Sequence, residues 1–535
     1  MTISNIKISL CQLNTIIGAI DDNTEKAVAY IKEQKKAGAN IIVFPELFIC
    51  GYPPNDLLLS EHYKKILSNA FNRIIAISQD VCIIMGHPFF EGNNTYNAAY
   101  VISDGNILHQ HIKTALPNYS VFDEKRYFKP GNEFSTITIY GIKCAILICE
   151  DIWDPTTKVK LKELSPEFVF CLNASNYERG KITKRQNIIK NASTYCNSYF
   201  FYLNTVGAQD SLVYDGASFV TNPSGKIIRN AKQFNEDCIN IEYNSLTKEI
   251  TPNELLPQLD ELSEIYAALV LGVRDYIKKN NINGILIGLS GGIDSALSLA
   301  ICVAAIGSNR IHCALLPSKY TSDLSIALAL EQAKLLGVNI TTHNIEPLVE
   351  ASLSASDTPR DSIAAQNIQA RARALILMAL SNKNGFLLVN TSNRSELATG
   401  YGTLYGDLCG GFSALKNIPK TMVFKLAKHI NNTNPTIVPA IIDREPTAEL
   451  ADNQLDSNEL PPYTILDAIL ELYIDKRLSL EQIVAYGYEA DLIEKVIKLV
   501  NCCEFKRQQS APGVQISPTS FGLARRMPIT AKIPY

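Results

Sequence analysis

Apolar and polar positions change their rhythm part-way along the chain. Up to about residue 240, short β-branched and aromatic runs such as 40–44 and 81–85 are broken by turns, with helical stretches such as 24–36 between them. That pattern predicts a layered α/β domain. The segment 246–262 is polar and punctuated by proline, and is the predicted linker between residues 1–245 and residues 263–535. A long amphipathic helix begins near Leu259 and ends near Asn280 and Asn281. Beyond it, strand-like runs alternate with helical ones: 285–289 then 296–306, 311–316 then 323–336, and 386–390 then 394–398. This alternation predicts a doubly wound parallel sheet, whose ligands sit beyond the C-terminal strand ends.

Composition narrows the class. A chain of 535 residues exceeds one hydrophobic core, so more than one domain is expected. Its 46% hydrophobic and 19% charged residues are ordinary globular values. A formal net charge of −3 argues against a nucleic-acid partner, whose binding surface would be basic. No apolar run approaches the ~18–20 residues that span a bilayer. The N-terminus has no signal-like apolar stretch. Thirteen cysteines are scattered without a CxxC spacing, as in a reducing compartment. A cytoplasmic protein without a membrane partner is the expectation.

The densest chemical signal is the junction Gly288-Leu289-Ser290-Gly291-Gly292-Ile293-Asp294-Ser295, which leads from an apolar strand into a helix. Gly291 and Gly292 let a ligand approach the backbone, and helix N-terminal amides attract phosphate. Ser290 and Ser295 add hydroxyl donors, and Asp294 is an acceptor suited to Mg²⁺ on a nucleotide. There is no Walker-type lysine motif. The Ser-Gly-Gly-x-Asp-Ser pattern resembles the pyrophosphate loop of ATP pyrophosphatases, which adenylate a substrate with release of pyrophosphate.

Further polar groups follow strands, at Thr391 to Glu396 and Gly400 to Asp407, with Gln366 to Arg371 upstream. With the loop, they resemble the NAD synthetase family, which amidates deamido-NAD. That resemblance implies residues 288–295 and Thr391 as the ATP site, Asp294 and Glu396 as Mg²⁺ ligands, and Asn367, Glu396 and Lys506 as deamido-NAD contacts. It also matches the basic tail, Glu504 to Gln508 and Phe521 to Arg526, which the residues alone would make a solvated face.

The first 245 residues carry different chemistry. Glu46 follows the strand ending at Phe44, Lys113 follows the hairpin strand after Asp104-Gly105, and Cys149 follows the strand 143–148. One Glu, one Lys and one Cys at successive strand ends resemble the nitrilase (carbon–nitrogen hydrolase) superfamily, with its α-β-β-α sandwich. Residues 119–128 and 209–216 are similar to the glutaminase domain of glutamine-dependent NAD synthetases in particular. A free thiol has a pKa of about 8.5, so little thiolate exists at neutral pH. Glu46 is suited to take the Cys149 proton, and Lys113 to favour thiolate and stabilise an oxyanion. The resemblance further implies Tyr119, Ser175 and Lys181 as glutamine-recognition residues, while Glu150 has no assigned role.

Taken over both halves, the resemblance implies L-glutamine, deamido-NAD and ATP as small-molecule substrates, with ammonia passing internally from Cys149 to an acyl-adenylate. A homo-oligomer is expected. Three alternatives stand beside this reading: an amidotransferase for another acceptor, of GMP- or asparagine-synthetase type; a catalytically dead sensing or scaffolding chain, against which the intact Cys149 and Ser-Gly-Gly-x-Asp-Ser loop argue; and a synthetase that in practice uses free ammonia.

Overall fold

The computed structural model describes residues 4–446, 449–451 and 460–533. The chain divides into two compact units, Met1–Leu259 and Asp260–Tyr535.

The first unit is a four-layer sandwich. One sheet has the spatial order Glu249–Ile250, Asp237–Asn244, Asn5–Gln12, Ile41–Val43, Cys82–Glu91, Asn94–Ser103, Asn106–Ile112. The other runs Ile227–Asn230, Phe219–Thr221, Tyr199–Asn204, Phe168–Asn173, Ile142–Ile148, Thr136–Ile139. In each, three neighbouring central strands are parallel. Successive side chains point to opposite faces, so Ile41, Val43 and Ile84 meet Ile146, Phe170 and Phe201 between the sheets. Ile42, Ile83 and Met85 face outward against helices Ile20–Lys36 and Glu61–Ala76. On the other side, Leu147, Cys171 and Phe200 pack on helices Pro155–Leu164 and Lys181–Cys196. Both strand faces are therefore buried, which explains the unbroken apolar runs in the sequence. This is the expected α-β-β-α sandwich.

The segment read as a linker is tied to the first unit as far as Leu259. Glu249–Ile250 adds an edge strand to Asp237–Asn244. Leu256 N–H donates to Asn230 Oδ1 at 2.9 Å, and Leu259 N–H to Gln233 Oε1 at 2.8 Å. Helix Glu261–Lys279 then opens the second unit, with the Asp260 side chain accepting the Ser263 N–H.

The second unit holds a five-stranded sheet in the order Asn339–Thr342, Ile311–Leu315, Ile285–Gly288, Leu387–Asn390, Phe412–Ser413. All neighbours are parallel. Counted along the chain this order is 3-2-1-4-5, so the winding reverses between the first and fourth strands, where a crevice opens past the strand ends. The expected doubly wound sheet is present. Leu286, Ala314 and Leu388 pack against helices Glu346–Ala355 and Ile363–Asn384. A separate helical layer, with Leu466, Ile469, Ile493, Val496 and Val500 at its centre, follows residue 460. Among the described residues, no helix is long and apolar enough to cross a membrane.

Candidate active sites

In the first unit, strand ends bring the three expected residues into one buried electrostatic cluster. Glu46 lies just past Ile41–Val43, Lys113 directly after Asn106–Ile112, and Cys149 directly after Ile142–Ile148. Lys113 Nζ is 2.8 Å from Glu46 Oε1 and 2.8 Å from Glu124 Oε1. Glu46 Oε1 also accepts Asn97 Nδ2 at 2.7 Å, and its Oε2 accepts the Ala174 N–H at 2.9 Å. Gly86 permits this placement: a Cβ there would meet Leu47 N at 2.5 Å and Glu46 Cα at 2.7 Å.

Sequence reading missed Glu124. It accepts the Tyr52 hydroxyl at 2.6 Å, and its other oxygen has no partner among the described residues. Burial and then the charge of Glu46 raise its pKa to about 7, against the pull of Lys113. Burial opposes the charge on Lys113, but Glu124 and Glu46 outweigh it and hold the ammonium firmly protonated. Lys113 does favour thiolate, yet burial and Glu46 outweigh it and push the Cys149 thiol well up.

The three expected glutamine-binding residues surround this cluster. The Tyr119 hydroxyl donates to both Glu150 oxygens at 3.1 Å. Ser175 N–H donates to Asn204 Oδ1 at 2.9 Å, and Ser175 Oγ accepts Arg185 Nε at 3.1 Å. Arg185 is itself fixed by Asp215 at 2.7 Å. Lys181 Nζ donates to Asn176 Oδ1 at 2.9 Å and stands 3.5 Å from Glu178. The Lys181 ammonium and the carboxylates of Glu150 and Glu178 so stand among these residues.

In the second unit, a cavity of about 540 Å³ opens at the switch point. It is lined by Gly288, Leu289, Ser290, Gly292, Ile293, Asp294, Ser295, Asn367, Thr391, Glu396 and Lys506. Of the residues expected here, Gly291 alone is not at the wall. Its φ of +82° forms the turn, and a Cβ on it would meet Ser325 O at 2.4 Å. No side chain caps helix Ile293–Ile306, which leaves its first amides facing the ligand space. Ser290 Oγ accepts the Gly292 N–H at 3.2 Å and pairs with Ser295 Oγ at 3.1 Å.

Asp294 and Glu396 converge on the buried ammonium of Lys420, at 2.5 and 3.3 Å. Lys420, another residue the sequence reading missed, also lines the cavity. Asn393 steadies both carboxylates, donating from Nδ2 to Asp294 at 3.0 Å and from its N–H to Glu396 at 3.2 Å. Among the described residues, no group of three or more His, Cys, Asp or Glu could hold a metal by itself. Mg²⁺ is commonly bound by one or two carboxylates together with substrate phosphates. The donor set fits a magnesium nucleotide rather than a free-standing metal centre.

Asn367 accepts the Thr403 hydroxyl at 2.7 Å, and Lys506 Nζ donates to the carbonyls of Gly400 and Gly402 at 2.8 and 2.7 Å. Of the remaining tail charges Arg526 is exposed, while Glu504, Arg507 and Arg525 are drawn into the fold. Arg507 is buried, donating to Ala398 O at 2.7 Å and Glu504 Oε2 at 2.9 Å. Arg525 reaches the same Glu504 oxygen at 3.2 Å. These arginines hold the tail to helix Arg394–Thr399 and its neighbours.

Known proteins agree with this division. The carbon-nitrogen hydrolase family matches residues 7–250 and the NAD synthase family residues 265–510. The glutamine-dependent NAD(+) synthetase of Acinetobacter baylyi is 43% identical over 534 residues, covering 98% of each chain. That of Thermotoga maritima is 37% identical, again over 98% of each. A structure of the glutamine-dependent NAD+ synthetase from Acinetobacter baumannii, in complex with adenosine diphosphate, matches with a TM-score of 0.80 at 40% identity and 98% coverage of both chains. By full-length relatives and by both matched families, this chain belongs to the glutamine-dependent NAD(+) synthetases.

Proposed function

We propose that the chain amidates deamido-NAD to NAD with ATP, taking the nitrogen from L-glutamine by way of Cys149. The observation that carries the reading is the buried Lys113–Glu46 ion pair at the strand ends that also carry Cys149, on the same chain as an uncapped Ser-Gly-Gly-x-Asp-Ser loop.

Glu46 takes the Cys149 proton as sulfur attacks the glutamine carboxamide carbon. The charge that develops on the carbonyl oxygen is stabilised by Lys113. The C–N bond then breaks, Glu46 returns the proton to the leaving nitrogen, and ammonia departs. Water activated by Glu46 cleaves the thioester to glutamate and restores the thiol. Tyr119, Ser175 and Lys181 hold the substrate, with Lys181 facing its α-carboxylate. Glu124, sharing Lys113 with Glu46, keeps the ammonium aligned.

In the second half, the deamido-NAD carboxylate attacks the α-phosphate of ATP, giving an acyl-adenylate and pyrophosphate. Ammonia then adds to the acyl carbon and AMP leaves. Residues 288–295 and Thr391 hold ATP, and Asn367, Glu396 and Lys506 hold deamido-NAD. The relative crystallised with adenosine diphosphate supports a nucleotide here. Asp294 and Glu396 would hold Mg²⁺, which neutralises charge on the phosphates. Lys420 keeps the two carboxylates together.

Ammonia released into water at neutral pH is protonated and no longer nucleophilic, which favours internal transfer between the two halves. A homo-oligomer in a reducing cytoplasm completes the reading, the latter supported by thirteen free thiols. The test is product stoichiometry: with deamido-NAD, ATP, Mg²⁺ and glutamine, NAD, AMP, pyrophosphate and glutamate should form one to one. ADP with inorganic phosphate in place of AMP with pyrophosphate would rule out adenylation.

A further inference from the structure

We infer that Asp151 is a positioning residue of the glutamine half, clamping the nucleophile turn to the strand end that carries Lys113. The role rests on the glutaminase reading above. Asp151 lies two residues after Cys149 and is fully buried. Its Oδ1 accepts Thr114 N–H at 2.8 Å, Thr114 Oγ1 at 2.9 Å and Ala115 N–H at 3.0 Å. Its Oδ2 accepts Ile148 N–H at 2.9 Å and stands 2.8 Å from His111 Nε2. One carboxylate therefore binds the residue before Cys149, the two residues after Lys113 and one shortly before it. A carboxylate has about four lone-pair sites. All are engaged, so Asp151 acts through its neighbours and not on substrate.

The turn needs such a hold. Cys149 has a φ of +42°, in the left-handed region that a side chain rarely adopts. A residue kept there persists when its surroundings over-determine it. Asp151 supplies this from within the 3₁₀ turn Cys149–Trp153 that carries the thiol, by tying it to the strand end at Lys113. Burial acts against its charge, but His111 and the Ala115 and Ile148 amides outweigh this and hold the carboxyl below its ordinary range.

Asp151→Asn tests the role because it keeps the shape and breaks one side of the clamp. If the amide oxygen serves Thr114 and Ala115, its NH₂ faces the Ile148 N–H, donor against donor. If the amide turns round, the Thr114 side is lost instead. Glutamine-driven and ammonium-driven NAD formation are measured on the full chain, with kcat and KM for glutamine. The expected result is a glutamine-driven kcat lower by about a hundredfold, the scale of an ångström's misplacement. KM for glutamine should change by less than about threefold, and ammonium-driven kcat should hold. An unchanged glutamine kcat, or equal losses with both donors, would overturn the inference. Should Asp151→Asn fail to fold, Thr114→Val removes one hydroxyl contact and should give the same split with a smaller drop; no drop overturns it. A wild-type chain inactive with glutamine would overturn the glutaminase reading itself, and this role with it.

Discussion

Two carboxylates, Glu46 and Glu124, share one ammonium at Lys113, and all three are almost wholly buried. A lone charge there would be unaffordable, and even the paired set is strained electrostatically. The strain is visible in Glu124, whose pKa is pushed up to about 7. Between the ordinary glutamate value and about 7, the folded chain binds this proton more tightly than the unfolded chain. Stability therefore falls as pH rises through that window. Glu124→Gln removes the titration, so its thermal midpoint should decline less than that of wild type between about pH 5 and pH 7.5; parallel curves would refute the assignment. Glu46, Lys113 and Cys149 were legible because each stands just past a strand, Glu46 and Cys149 after apolar runs and Lys113 after a hairpin strand. Glu124 was not, since it lies in an irregular stretch eleven residues after Lys113 and meets it only through a tertiary turn. Lys420 was hidden likewise, its partner Asp294 lying far back along the chain.

At the scale of elements, the junction 285–306 was the most readable part of the chain, because strand, glycine turn and helix follow one another without interruption. Strand Ile285–Gly288 and helix Ile293–Ile306 stand within a few residues of the predicted spans. Strand Asn339–Thr342 escaped notice since it is short, polar and largely exposed at the sheet edge. The 22-residue helix Ile363–Asn384 was missed as an element: its cavity-facing stripe mixes Asn367, Ala370, Arg373 and Leu377, so no apolar periodicity marks it. The contacts that tie the linker segment to the first unit were not legible for a comparable reason, as backbone pairing and two side-chain bonds to asparagine and glutamine leave no hydrophobic signature. Gly291 is where the element itself is at stake. Gly291→Ala adds a Cβ in a left-handed turn, 2.4 Å from the Ser325 carbonyl. That backbone cannot yield without moving the loop, so NAD formation should fall by at least about tenfold with glutamine and ammonium alike. A loss confined to glutamine would contradict the loop's assignment to ATP.

At the scale of the molecule, each unit keeps its own core, and each core delivers one set of strand ends to one site. The division of labour follows: a hydrolase that frees nitrogen and a ligase that consumes it, matched over the full chain by relatives of one family. Fold class and both halves were readable from periodicity and motifs. The positioning contacts were not, because side chains distant in sequence make them. The claim that joins the halves is that glutamine nitrogen reaches NAD only through Cys149. Cys149→Ala tests it directly, with NAD formation from deamido-NAD, ATP and Mg²⁺ measured against glutamine and against ammonium. The account predicts that the variant loses glutamine-driven synthesis and keeps the ammonium-driven rate. Retention of glutamine-driven synthesis, or loss of both, would contradict it.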